Sequence, residues 1–579
     1  MPKTNEEIEE LFFEWSDLIQ ISGGDPFRAR SYEKAARAVG AHPKDVGSLD
    51  EKALLAIPAV GKNMATRIRE YVERGTMHEL EELREMVPPG IRELTRIPGL
   101  GPKKAVLLHS ELGVSAIDEL LEAIAGHKLN TIKGLGQKTA ENLKRGIEQM
   151  QQTGGERTRL DVGLSIAEEL VAGLAQCAAV KEVTCAGSLR RMRETAGDID
   201  ILAASSDVGT VMDAFAALEL VDKTLARGDT KMTVLTAKGF QVDLRVVPHD
   251  AWGAALIYFT GSKAHNIKIR EMAVKKGWKL SEYGLFKVET DKKMVAKTEE
   301  AVYAKLGLPW IPPQLREDAG EVEAALKDAL PDLLSPDDIR GDLHTHTNMS
   351  DGLATLEDML AAAAGRGYSY YAVTDHAENL PMTLVTKEKM LAQRQRIAEL
   401  QKRFPKMTIL HGTELNIDQN GDVDWDPAFL EGFDITVASV HSYFNQTRDE
   451  MTRRYIKAME NPNVHIIGHP TGRKIGSRVP FEFDFEAVFA AAARTGTAIE
   501  CNSYPDRLDL RDEHVRWAIG AGVTISVDTD SHAIGHLEGI RYGVATAQRG
   551  WATRADVLNA KTLKQLQAFV ARKRASAKR

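Results

Sequence analysis

Cysteines and long apolar runs are scarce in this sequence. Its 579 residues include three cysteines, Cys177, Cys185 and Cys501, and no CxxC pair. This pattern argues against a disulfide scaffold or a cysteine zinc finger and is typical of a reducing cytoplasm. No apolar run approaches the roughly 18 residues that cross a bilayer, and the acidic start, residues 1–10, does not look like a secretory signal. We therefore expect a cytoplasmic protein with no membrane partner.

An excess of positive charge is also missing, since the formal net charge is −8. This excludes little, because phosphate binding needs only a local basic surface, and carboxylates that hold metals count as negative. The chain is 43% hydrophobic and 27% charged, as in ordinary globular proteins. Its length predicts about three to five domains.

Three similar glycine-containing segments lie within residues 1–155, which otherwise have the apolar spacing of helices. They cover 57–62, 97–104 and 132–138. We expect their glycines to adopt backbone angles that other residues resist, and their N–H groups and nearby lysines to meet phosphates. One copy would equally suit a plain turn between helices, but three copies resemble helix-hairpin-helix motifs that grip DNA backbones. The expected DNA contacts are Gly61, Lys62, Gly99, Gly101, Lys103, Lys104, Gly134, Gly136 and Lys138.

A glycine–serine turn followed by alternating aspartates lies in a region with strand patterning, residues 180–250. Asp198 and Asp200 alternate on a predicted strand and so face one side, and Asp243 on a neighbouring strand is the expected third carboxylate. Such carboxylates hold two divalent cations, Mg²⁺ or Mn²⁺, for nucleotidyl transfer. Asp-x-Asp alone is usually a solvated strand edge, but the whole spacing indicates a nucleotidyltransferase palm. The residues expected to hold the incoming triphosphate are Gly187, Ser188, Arg191 and Gly197.

The segment Tyr-Phe-Thr-Gly-Ser that begins at Tyr258 follows the strand region. With Asn266 and Arg270 it resembles the nucleotide-selecting thumb segment of the polymerase β group. The resemblance implies that Tyr258 and Phe259 lie against the sugar and screen for deoxyribose, and that Gly261 also binds nucleotide. It also implies that Asn266 reaches the minor-groove edge of the new pair and that Arg270 reaches the template strand. The alternative is that the two aromatics are simply core residues.

The sequence departs from the polymerase β pattern at three positions. Lys263 stands where vertebrate members carry Asp, and Gln241 stands where they carry Arg, two residues before the third aspartate. Arg67 stands at the Schiff-base lysine position, and a guanidinium cannot act as that amine nucleophile. A deoxyribose-phosphate lyase is therefore not expected by that route, although Lys62 is an alternative nucleophile.

From residue 340 onward, short apolar runs end in polar clusters and are followed by helical stretches, which predicts a parallel barrel with a site at its C-terminal rim. Nine side chains at those ends can bind metal. They are His344, His346, Asp351, His376, Glu414, His441, His469, Asp530 and His532. A lone histidine is more often a satisfied buried residue, but nine such positions at one rim indicate a metal centre.

This set resembles the PHP phosphoesterase family, a distorted barrel that holds three divalent metals. The resemblance implies one metal at His344, His346, Glu414 and Asp530. It implies a second at Asp351, His376 and His532, and a third at Glu414, His441 and His469, with Glu414 bridging. Asp351 stands where the family often has His. Imidazole and carboxylate ligands suit Mn²⁺, Zn²⁺ or Fe²⁺, and the sequence does not choose among them.

Together the motifs resemble bacterial and archaeal PolX proteins over essentially the whole chain. The implied fold is multidomain, with a helical helix-hairpin-helix region, an α+β nucleotidyltransferase palm and thumb, and a C-terminal α/β distorted (βα)7-like PHP barrel. The implied domains are 1–90 (helical, resembling the 8-kDa domain), 91–155 (fingers-like helix-hairpin-helix region), 156–250 (palm), 251–315 (thumb), 316–338 (linker) and 339–579 (PHP).

The implied function is gap filling in DNA repair, including base excision repair, with a metal-dependent 3′–5′ exonuclease. Cleavage at abasic sites is an alternative for the nuclease. The implied partners are gapped or primed DNA and deoxynucleoside triphosphates, and we expect a monomer. Two further hypotheses stay open at this point: a PHP hydrolase with an idle palm, and a DNA-end-binding scaffold with neither activity.

Overall fold

The structure is a computed structural model. It describes residues 4–40, 46–57, 59–87, 89–95, 97, 100, 102–132, 135–137, 139–140, 143–144, 147, 157–380, 385–475, 478 and 480–576. Two compact units divide the chain, residues 1–157 and residues 158–579. Across the described ranges, none of the helices combines the length and the apolar character needed to pass through a bilayer.

The first unit is helical, as the sequence predicts. Its helices are α1 Thr4–Ile21, α2 Pro26–Gly40, α3 Glu51–Leu55, α4 Lys62–Arg74, α5 His78–Met86, α6 Pro89–Leu94, α7 Pro102–Leu112 and α8 Ile117–Ala125. Apolar side chains from Ile8 to Ile147 form one continuous core. Within it Trp15 stacks on Tyr32 with ring centroids 4.7 Å apart. The predicted boundary at residues 90 and 91 thus falls inside a shared core.

A five-stranded mixed sheet forms the palm at the start of the second unit. Its strands are β2 Glu182–Cys185, β4 Ile199–Ala204, β5 Val221–Arg227, β6 Lys231–Thr236 and β7 Gln241–Val247, in the order β2-β4-β7-β6-β5. β4 and β7 run parallel and the other pairs antiparallel. The helices here are α9 Leu160–Leu174, α10 Gly187–Arg190 and α11 Val208–Ala216, and a short pair joins β1 Thr158–Arg159 to β3 Thr195–Ala196. The region of strand patterning at residues 180–250 contains β2, β4, β5, β6 and β7.

The thumb follows the palm and combines helices with a small antiparallel sheet. Its elements are α12 Trp252–Thr260, α13 Lys263–Lys275, β8 Trp278–Ser281, β9 Gly284–Lys287, β10 Lys293–Val295 and α14 Glu299–Leu306. Ser262 caps α13 by accepting a hydrogen bond from the His265 backbone N–H at 3.2 Å. This cap fixes where α13 starts, and so sets the position of the residues expected to select nucleotides.

The segment 316–338, predicted as a linker, is folded, and this corrects the prediction. Residues Glu321–Leu326 form α15, and Val322 and Ala325 join the thumb core. Glu321 is fully buried because its carboxylate accepts from two backbone N–H groups, at 3.0 and 2.8 Å, and lies 2.7 Å from His265 Nδ1. Glu321 therefore has a buried structural role, whereas Glu323, Asp328, Asp332 and Asp337 of the same segment are exposed.

Glu299 lies at the centre of a buried ion cluster that joins the palm, the thumb and the predicted linker. Its two oxygens accept from Arg190 at 2.9 Å and from Arg316 at 2.6 and 3.1 Å. Trp310 Nε1 also donates to it at 3.0 Å. We call Arg190, Glu299, Trp310 and Arg316 the Glu299 cluster. Burial alone would raise the pKa of Glu299, but the two guanidiniums lower it to about 2.

Six parallel strands in the order β11 to β16 form the C-terminal barrel. They are β11 Tyr370–Val373, β12 Thr408–Asn416, β13 Ile435–Ser439, β14 Ile466–Ile467, β15 Ala498–Asn502 and β16 Ile525–Asp528. The helices between and after them are α16 Leu356–Gly365, α17 Lys387–Leu400, α18 Pro427–Leu430, α19 Arg448–Glu460, α20 Phe485–Thr495, α21 Asp512–Gly520, α22 Ile540–Arg549 and α23 Leu563–Ser576. Short 3₁₀ turns along the chain are Val46–Ser48, Lys128–Thr131, His249–Ala251, Pro313–Leu315, Pro336–Asp338, Gln401–Arg403, Ile534–Gly539 and Leu558–Ala560.

An irregular segment, residues 340–346, lies between the first and last strands of this sheet. On one side Ala372 N donates to Asp342 O at 2.9 Å, and on the other His346 N donates to Ser531 O at 2.8 Å. The barrel therefore has six regular strands and a seventh irregular segment, as the distorted (βα)7-like prediction requires. The first two histidines of the expected metal site lie on this segment.

The Glu299 cluster generates a stability prediction. Glu299→Gln removes the charge that two buried guanidiniums share, so we expect a loss of about 3–5 kcal/mol at pH 7. The pKa of Glu299 falls from 4.5 to about 2 on folding. Its contribution is therefore complete above about pH 4.5 and is lost as the pH falls toward 2. Thermal unfolding should therefore show the same difference in stability between wild type and variant at pH 7 and pH 5, and a smaller difference at pH 3.5.

The control is Asp250→Asn, which breaks an exposed pair with Lys293 and should cost less than about 1 kcal/mol. A gap that is the same at all three pH values would contradict the assignment of this stability to the Glu299 charge.

Candidate active sites

The palm sheet brings the three predicted carboxylates to one place. Asp200 on β4 lies opposite Asp243 on the parallel strand β7, and Asp198 directly precedes β4. Burial and the charges of Asp198 and Asp243 raise the pKa of Asp200 to about 7. Carboxylates that repel one another in this way are suited to binding divalent cations, which would neutralise them.

Two residues of β6 hold the third carboxylate, and the sequence gives no motif for either. Thr233 lies opposite Asp243 and its hydroxyl donates to Asp243 Oδ1 at 2.5 Å. The Lys231 ammonium lies 2.6 Å from Asp243 Oδ2. Only the pairing register of β6 and β7 brings them together. These contacts fix the Asp243 rotamer, and Lys231 supplies counter-charge.

The Gly187 turn packs directly against the carboxylates. Gly187 has φ +62°, and a Cβ there would lie 2.5 Å from Asp200 Oδ2, so only glycine fits. Ser188 Oγ is buried and has no hydrogen-bond partner among the residues described. An uncommitted buried hydroxyl on the turn that packs against Asp200 suits an incoming phosphate.

Arg191, expected as a counter-charge for the triphosphate, is already engaged by the protein. Its Nε donates to Glu317 Oε1 at 2.9 Å and its Nη1 to the Thr260 carbonyl at 2.5 Å. A Cβ on Gly261 would lie 3.0 Å from the same Nη1. Arg191 thus joins the palm turn to the thumb turn. Gly197, the other expected contact, is exposed in the loop before β4.

The expected nucleotide-selecting residues cluster at the junction of α12 and α13. Tyr258 is 37% exposed, which is inconsistent with a plain core role, and packs edge-on against Phe259 at 4.9 Å. Asn266 donates to the Tyr258 carbonyl at 2.8 Å, while its Oδ1 is buried without a partner among the described residues. The Arg270 guanidinium lies 4.9 Å from the Tyr258 ring centre.

The glycine-containing turns of the first unit share one geometry. In each copy an isoleucine carbonyl accepts from the N–H three residues later, at 3.1, 2.9 and 3.0 Å. These bonds join Ile57 to Val60, Ile97 to Leu100 and Ile132 to Leu135. All six side chains are buried. The repeat inferred from sequence is therefore a structural repeat.

The expectation that these glycines adopt backbone angles that other residues resist is wrong for Gly61. Gly61 has an ordinary extended φ of −89°, and the left-handed residue of that turn is Ala59, with φ +65°. Gly61 and Gly136 each have open space where a side chain would stand. The backbone N–H groups of Ala65 and Ala140 donate to their carbonyls at 2.9 and 3.1 Å, as at a helix start. Gly61 and Gly136 therefore leave room for close approach rather than permit an unusual backbone angle.

The remaining predicted contacts of these turns are only partly described. Lys62 and Lys104 are exposed on the first turns of α4 and α7. The predicted contacts that lie outside the described residues are Gly99, Gly101, Gly134 and Lys138, together with the side chain of Lys103.

Arg67, at the Schiff-base lysine position, is an ion-paired structural residue. It donates to Glu70 at 3.1 Å and also to Glu79, and its guanidinium lies 5.9 Å from the Trp15 ring. A permanently charged group in this setting does not supply an amine nucleophile, as expected from the sequence.

Glu414 lies at the centre of the C-terminal metal-ligand set. Its Oε2 lies 2.9 Å from His376 Nδ1, 3.4 Å from His344 Nε2 and 3.5 Å from His346 Nε2. Its Oε1 lies 3.2 Å from His441 Nε2 and 3.1 Å from His469 Nε2. Contact with five imidazoles through both oxygens suits a bridging ligand. Glu414 lies within β12 and not at its end, where the prediction put it.

Three groups of ligand atoms converge closely, and they overlap the predicted sets only in part. His344, His346 and Asp530 form one group, which lacks the Glu414 that the prediction added to it. Asp351, His376 and His532 form a second, which His346 also joins. His376, Glu414 and His441 form the third, in which His376 takes the place predicted for His469.

Uncommitted buried atoms and the charge balance both fit divalent metals. Six buried nitrogen and oxygen atoms of these residues form no well-oriented hydrogen bond within the described chain, although some lie close to one another: His344 Nε2, His346 Nδ1, His346 Nε2, His376 Nδ1, Glu414 Oε2 and His469 Nδ1. Burial alone would raise the pKa of Glu414, but His441, His344 and His376 hold it well below its usual value. An ionised carboxylate among buried imidazoles is the donor set that borderline divalent metals prefer.

The sequence analysis missed the residues that orient these ligands. Glu500 Oε1 lies 2.7 Å from His344 Nδ1, and its other oxygen accepts from the His469 backbone N–H at 2.5 Å. Asn416 Oδ1 lies 2.8 Å from His441 Nδ1. The carboxylate behind the His344 ring and the amide behind the His441 ring fix the tautomers that present Nε2 to a metal. Their proximity depends on the barrel's closure, which spacing does not encode.

Arg507 is a second residue that spacing did not indicate. It follows β15, and its Nε lies 3.6 Å from Asp530 Oδ2. Its Nη1 is buried with no hydrogen-bond partner in the described structure. Burial and the Arg507 charge lower the pKa of His469 to about 3. A guanidinium beside the ligands, with a free donor, suits a phosphate oxygen.

The folds and centres together define a two-centre enzyme of nucleic acid chemistry: a nucleotidyltransferase palm and thumb joined to a metal-dependent phosphoesterase barrel. Models of known families match in the same order. The Helix-hairpin-helix domain matches residues 3–77 and the SAM-like Helix-hairpin-helix tandem 91–149. The DNA polymerase beta thumb matches 255–317 and the PHP domain 342–503.

Whole-chain comparison identifies the family. The chain is 37% identical over 559 residues to the DNA polymerase/3′-5′ exonuclease PolX of Bacillus subtilis, covering 96% of this chain and 97% of that protein. It is 27% identical to DNA polymerase lambda of Arabidopsis thaliana and 28% identical to that of Rattus norvegicus. Those matches cover 54% and 51% of this chain, and 62% and 53% of the relatives. The chain belongs to the PolX family of polymerase β-like proteins with a PHP domain.

Glu500 generates a prediction for the barrel centre. Glu500→Gln keeps the size of the side chain but removes the negative charge behind His344, so we expect metal affinity to fall by about 10- to 100-fold. Titration of metal-stripped protein with Mn²⁺ or Zn²⁺ measures this. Glu460→Gln, on an exposed pair with Arg494, is the control and should bind metal as wild type does. Unchanged affinity in Glu500→Gln would exclude the orienting role.

Proposed function

We propose that this chain fills short gaps in DNA by two-metal nucleotidyl transfer and trims 3′ ends with its barrel. The observation that carries the polymerase activity is the register of Asp200 and Asp243, with the Gly187 turn packed against Asp200. The nuclease is supported by the nine-ligand set around Glu414. Both agree with the family to which the chain belongs.

Asp198, Asp200 and Asp243 hold two divalent cations, Mg²⁺ or Mn²⁺, in this proposal. When bound, these cations would supply activation of the primer 3′-hydroxyl and charge stabilisation for the departing pyrophosphate. Gly187, Ser188, Arg191 and Gly197 bind the triphosphate. The Ser188 hydroxyl, which is buried without a partner among the described residues, and the Arg191 guanidinium donate hydrogen bonds to the triphosphate.

The thumb residues select the nucleotide and hold the template. Tyr258, Phe259 and Gly261 lie against the sugar, which is supported by the exposure of Tyr258. The buried Asn266 amide contacts the base pair, and its uncommitted Oδ1 is oriented by the bond to the Tyr258 carbonyl. Arg270 approaches the template strand with its guanidinium over the Tyr258 ring.

The glycine-containing turns bind the DNA backbone without reading sequence. Open space at Gly61 and Gly136 lets phosphates approach the N–H groups at the following helix starts. The exposed Lys62 and Lys104 add charge. Gly99, Gly101, Lys103, Gly134 and Lys138 have the same proposed role from sequence.

The barrel holds three divalent metals, Mn²⁺, Zn²⁺ or Fe²⁺, through its nine ligands in this proposal. They supply Lewis-acid activation of water and of the scissile phosphodiester. Arg507 binds a phosphate oxygen. The DNA end enters beside Asp351 and His532, whose side chains are partly exposed. The proposed domains are those of the sequence analysis, with 316–338 assigned to the folded thumb. We further propose a monomer that works in the cytoplasm.

Separable loss of the two activities tests the proposal. The substrate is a labelled primer on gapped DNA with Mg²⁺ or Mn²⁺, with and without deoxynucleotides. Asp198→Asn/Asp200→Asn should lose extension by about 10³-fold or more, because several kcal/mol of charge stabilisation are removed. His344→Ala should lose 3′ shortening by a similar factor, and each variant should keep the other activity.

Each variant serves as the matched control for the other. Shortening without extension by wild type would contradict the polymerase and leave a nuclease with DNA-binding hairpins. Extension without shortening would contradict the exonuclease. Loss of both activities in either single-site mutant would show that the centres do not act independently.

Arg507 provides a sharper test of the nuclease. Arg507→Ala removes a buried donor beside the ligands, so we expect 3′ shortening to slow by about 10²-fold with primer extension unchanged. Arg494→Ala, on the surface of the same barrel, is the control. If Arg507→Ala lowers metal content as well as rate, the residue supports the ligands and does not bind phosphate.

A further inference from the structure

The PHP barrel reaches the polymerase nucleotide site through Arg549. This residue ends α22, and its guanidinium is 5% exposed. Asp512, which also belongs to the barrel domain, holds the Arg549 guanidinium: Arg549 Nε donates to Asp512 Oδ2 at 2.7 Å. Asp512 opens α21, so both partners lie on helices. The orientation of Arg549 is therefore set by the PHP domain itself.

The other side of the Arg549 guanidinium contacts the palm and the thumb. Its Nη1 donates to the Arg191 carbonyl at 2.9 Å and to Glu317 Oε1 at 3.0 Å. The Arg191 carbonyl directly follows α10, the short helix that carries Gly187 and Ser188. Arg549 thus holds the C-terminal end of the turn whose other end packs against Asp200.

Glu317 is shared between two guanidiniums from the two halves of the protein. Its Oε1 accepts from Arg191 Nε at 2.9 Å as well as from Arg549. Burial alone would raise the pKa of Glu317, but Arg549, Arg191 and Arg193 lower it to about 2. The carboxylate is therefore ionised at neutral pH, and Arg549 neutralises part of the charge that would otherwise act on Arg191 alone.

We propose that Arg549 is a positioning residue for the polymerase reaction, contributed by the PHP domain. It acts through Arg191 in two ways that add. It anchors the Arg191 backbone at the end of the Gly187 turn. It also shares Glu317 with Arg191, so that this carboxylate holds the Arg191 guanidinium less strongly when a triphosphate competes for it. This inference rests on the proposed role of Arg191 in nucleotide binding.

The geometry distinguishes this role from general adhesion between the halves. Arg541, on the same helix, also crosses to the palm, where it donates to Glu168 on α9 at 2.8 Å. That pair is about half exposed and involves none of the proposed nucleotide-binding residues. Arg549 alone of the two touches the Arg191 turn, so Arg541 provides a matched control.

The test uses full-length protein and measures primer extension, 3′ shortening and thermal unfolding. Arg549→Lys keeps the charge, but an ammonium cannot span Asp512, Glu317 and the Arg191 carbonyl with the planar fork of Arg. We expect KM for the deoxynucleotide to rise about tenfold or more, with a smaller change in kcat. Shortening should be unchanged, and Arg541→Lys should match wild type in every measurement.

A second variant keeps the proposal testable if Arg549→Lys does not fold. Asp512→Asn lies in the PHP domain, contacts Arg549 and weakens its anchor, and should raise the same KM in the same direction by about threefold or more. Unchanged KM in the folded variants, or a parallel loss of extension and shortening with a lower unfolding midpoint, would overturn the proposal. Failure of the wild-type protein to extend primers would instead contradict the proposed polymerase function. The wild-type and Arg541→Lys measurements distinguish that outcome from failure of the Arg549 proposal.

Discussion

Asp200 lies opposite Asp243 because β4 and β7 run parallel in a fixed register, and this forced proximity of like charges governs the polymerase half. Repulsion and burial raise the pKa of Asp200 to about 7, and Lys231 and Thr233 on β6 offset part of the cost at Asp243. The barrel meets a similar constraint differently, by surrounding Glu414 with imidazoles. Asp200 on β4 and Glu414 on β12 each lie on a strand that is paired on both sides. Backbone hydrogen bonds therefore hold each carboxylate beside its charged neighbours.

Local patterns in the sequence predict much of this. Alternation on β4 places Asp198 and Asp200 on one face, and repeated polar residues after apolar runs place the histidines at one rim of a parallel sheet. The three helical turns are predictable because their repeat is short and includes buried apolar positions at fixed spacing, such as Ile57 and Val60. In each case the interacting residues are close in sequence, or the strand period determines their direction.

Features that depend on distant partners were not predictable. Arg316 lies in a segment with the composition of a linker, yet it is buried because Glu299 accepts from it. Glu500 lies 156 residues from His344 and contacts it only because the curled sheet brings the Glu500 side chain on β15 close to the His344 side chain on segment 340–346. The Gly61 angle was wrongly expected because the turn takes its left-handed residue at Ala59. A glycine in a motif indicates that a side chain is excluded at that position. It does not show whether an unusual backbone angle or the close approach of a ligand excludes it.

Buried ion pairs and apolar contacts join the palm to the barrel within the second unit. Leu508 and Tyr542 of the barrel domain enter the palm core, and Arg473 donates to Glu194 at 2.6 Å beside them. Arg473 lies four residues after His469, and Glu194 lies four residues before Asp198, so the two centres are anchored to one interface by short stretches of chain. Separating the two centres would require breaking this pair together with the Arg549 contacts to Glu317 and the Arg191 carbonyl. The contacts that join the palm to the barrel therefore begin within four residues of a candidate metal ligand on each side, and the interface and the two centres are built from the same stretches of chain.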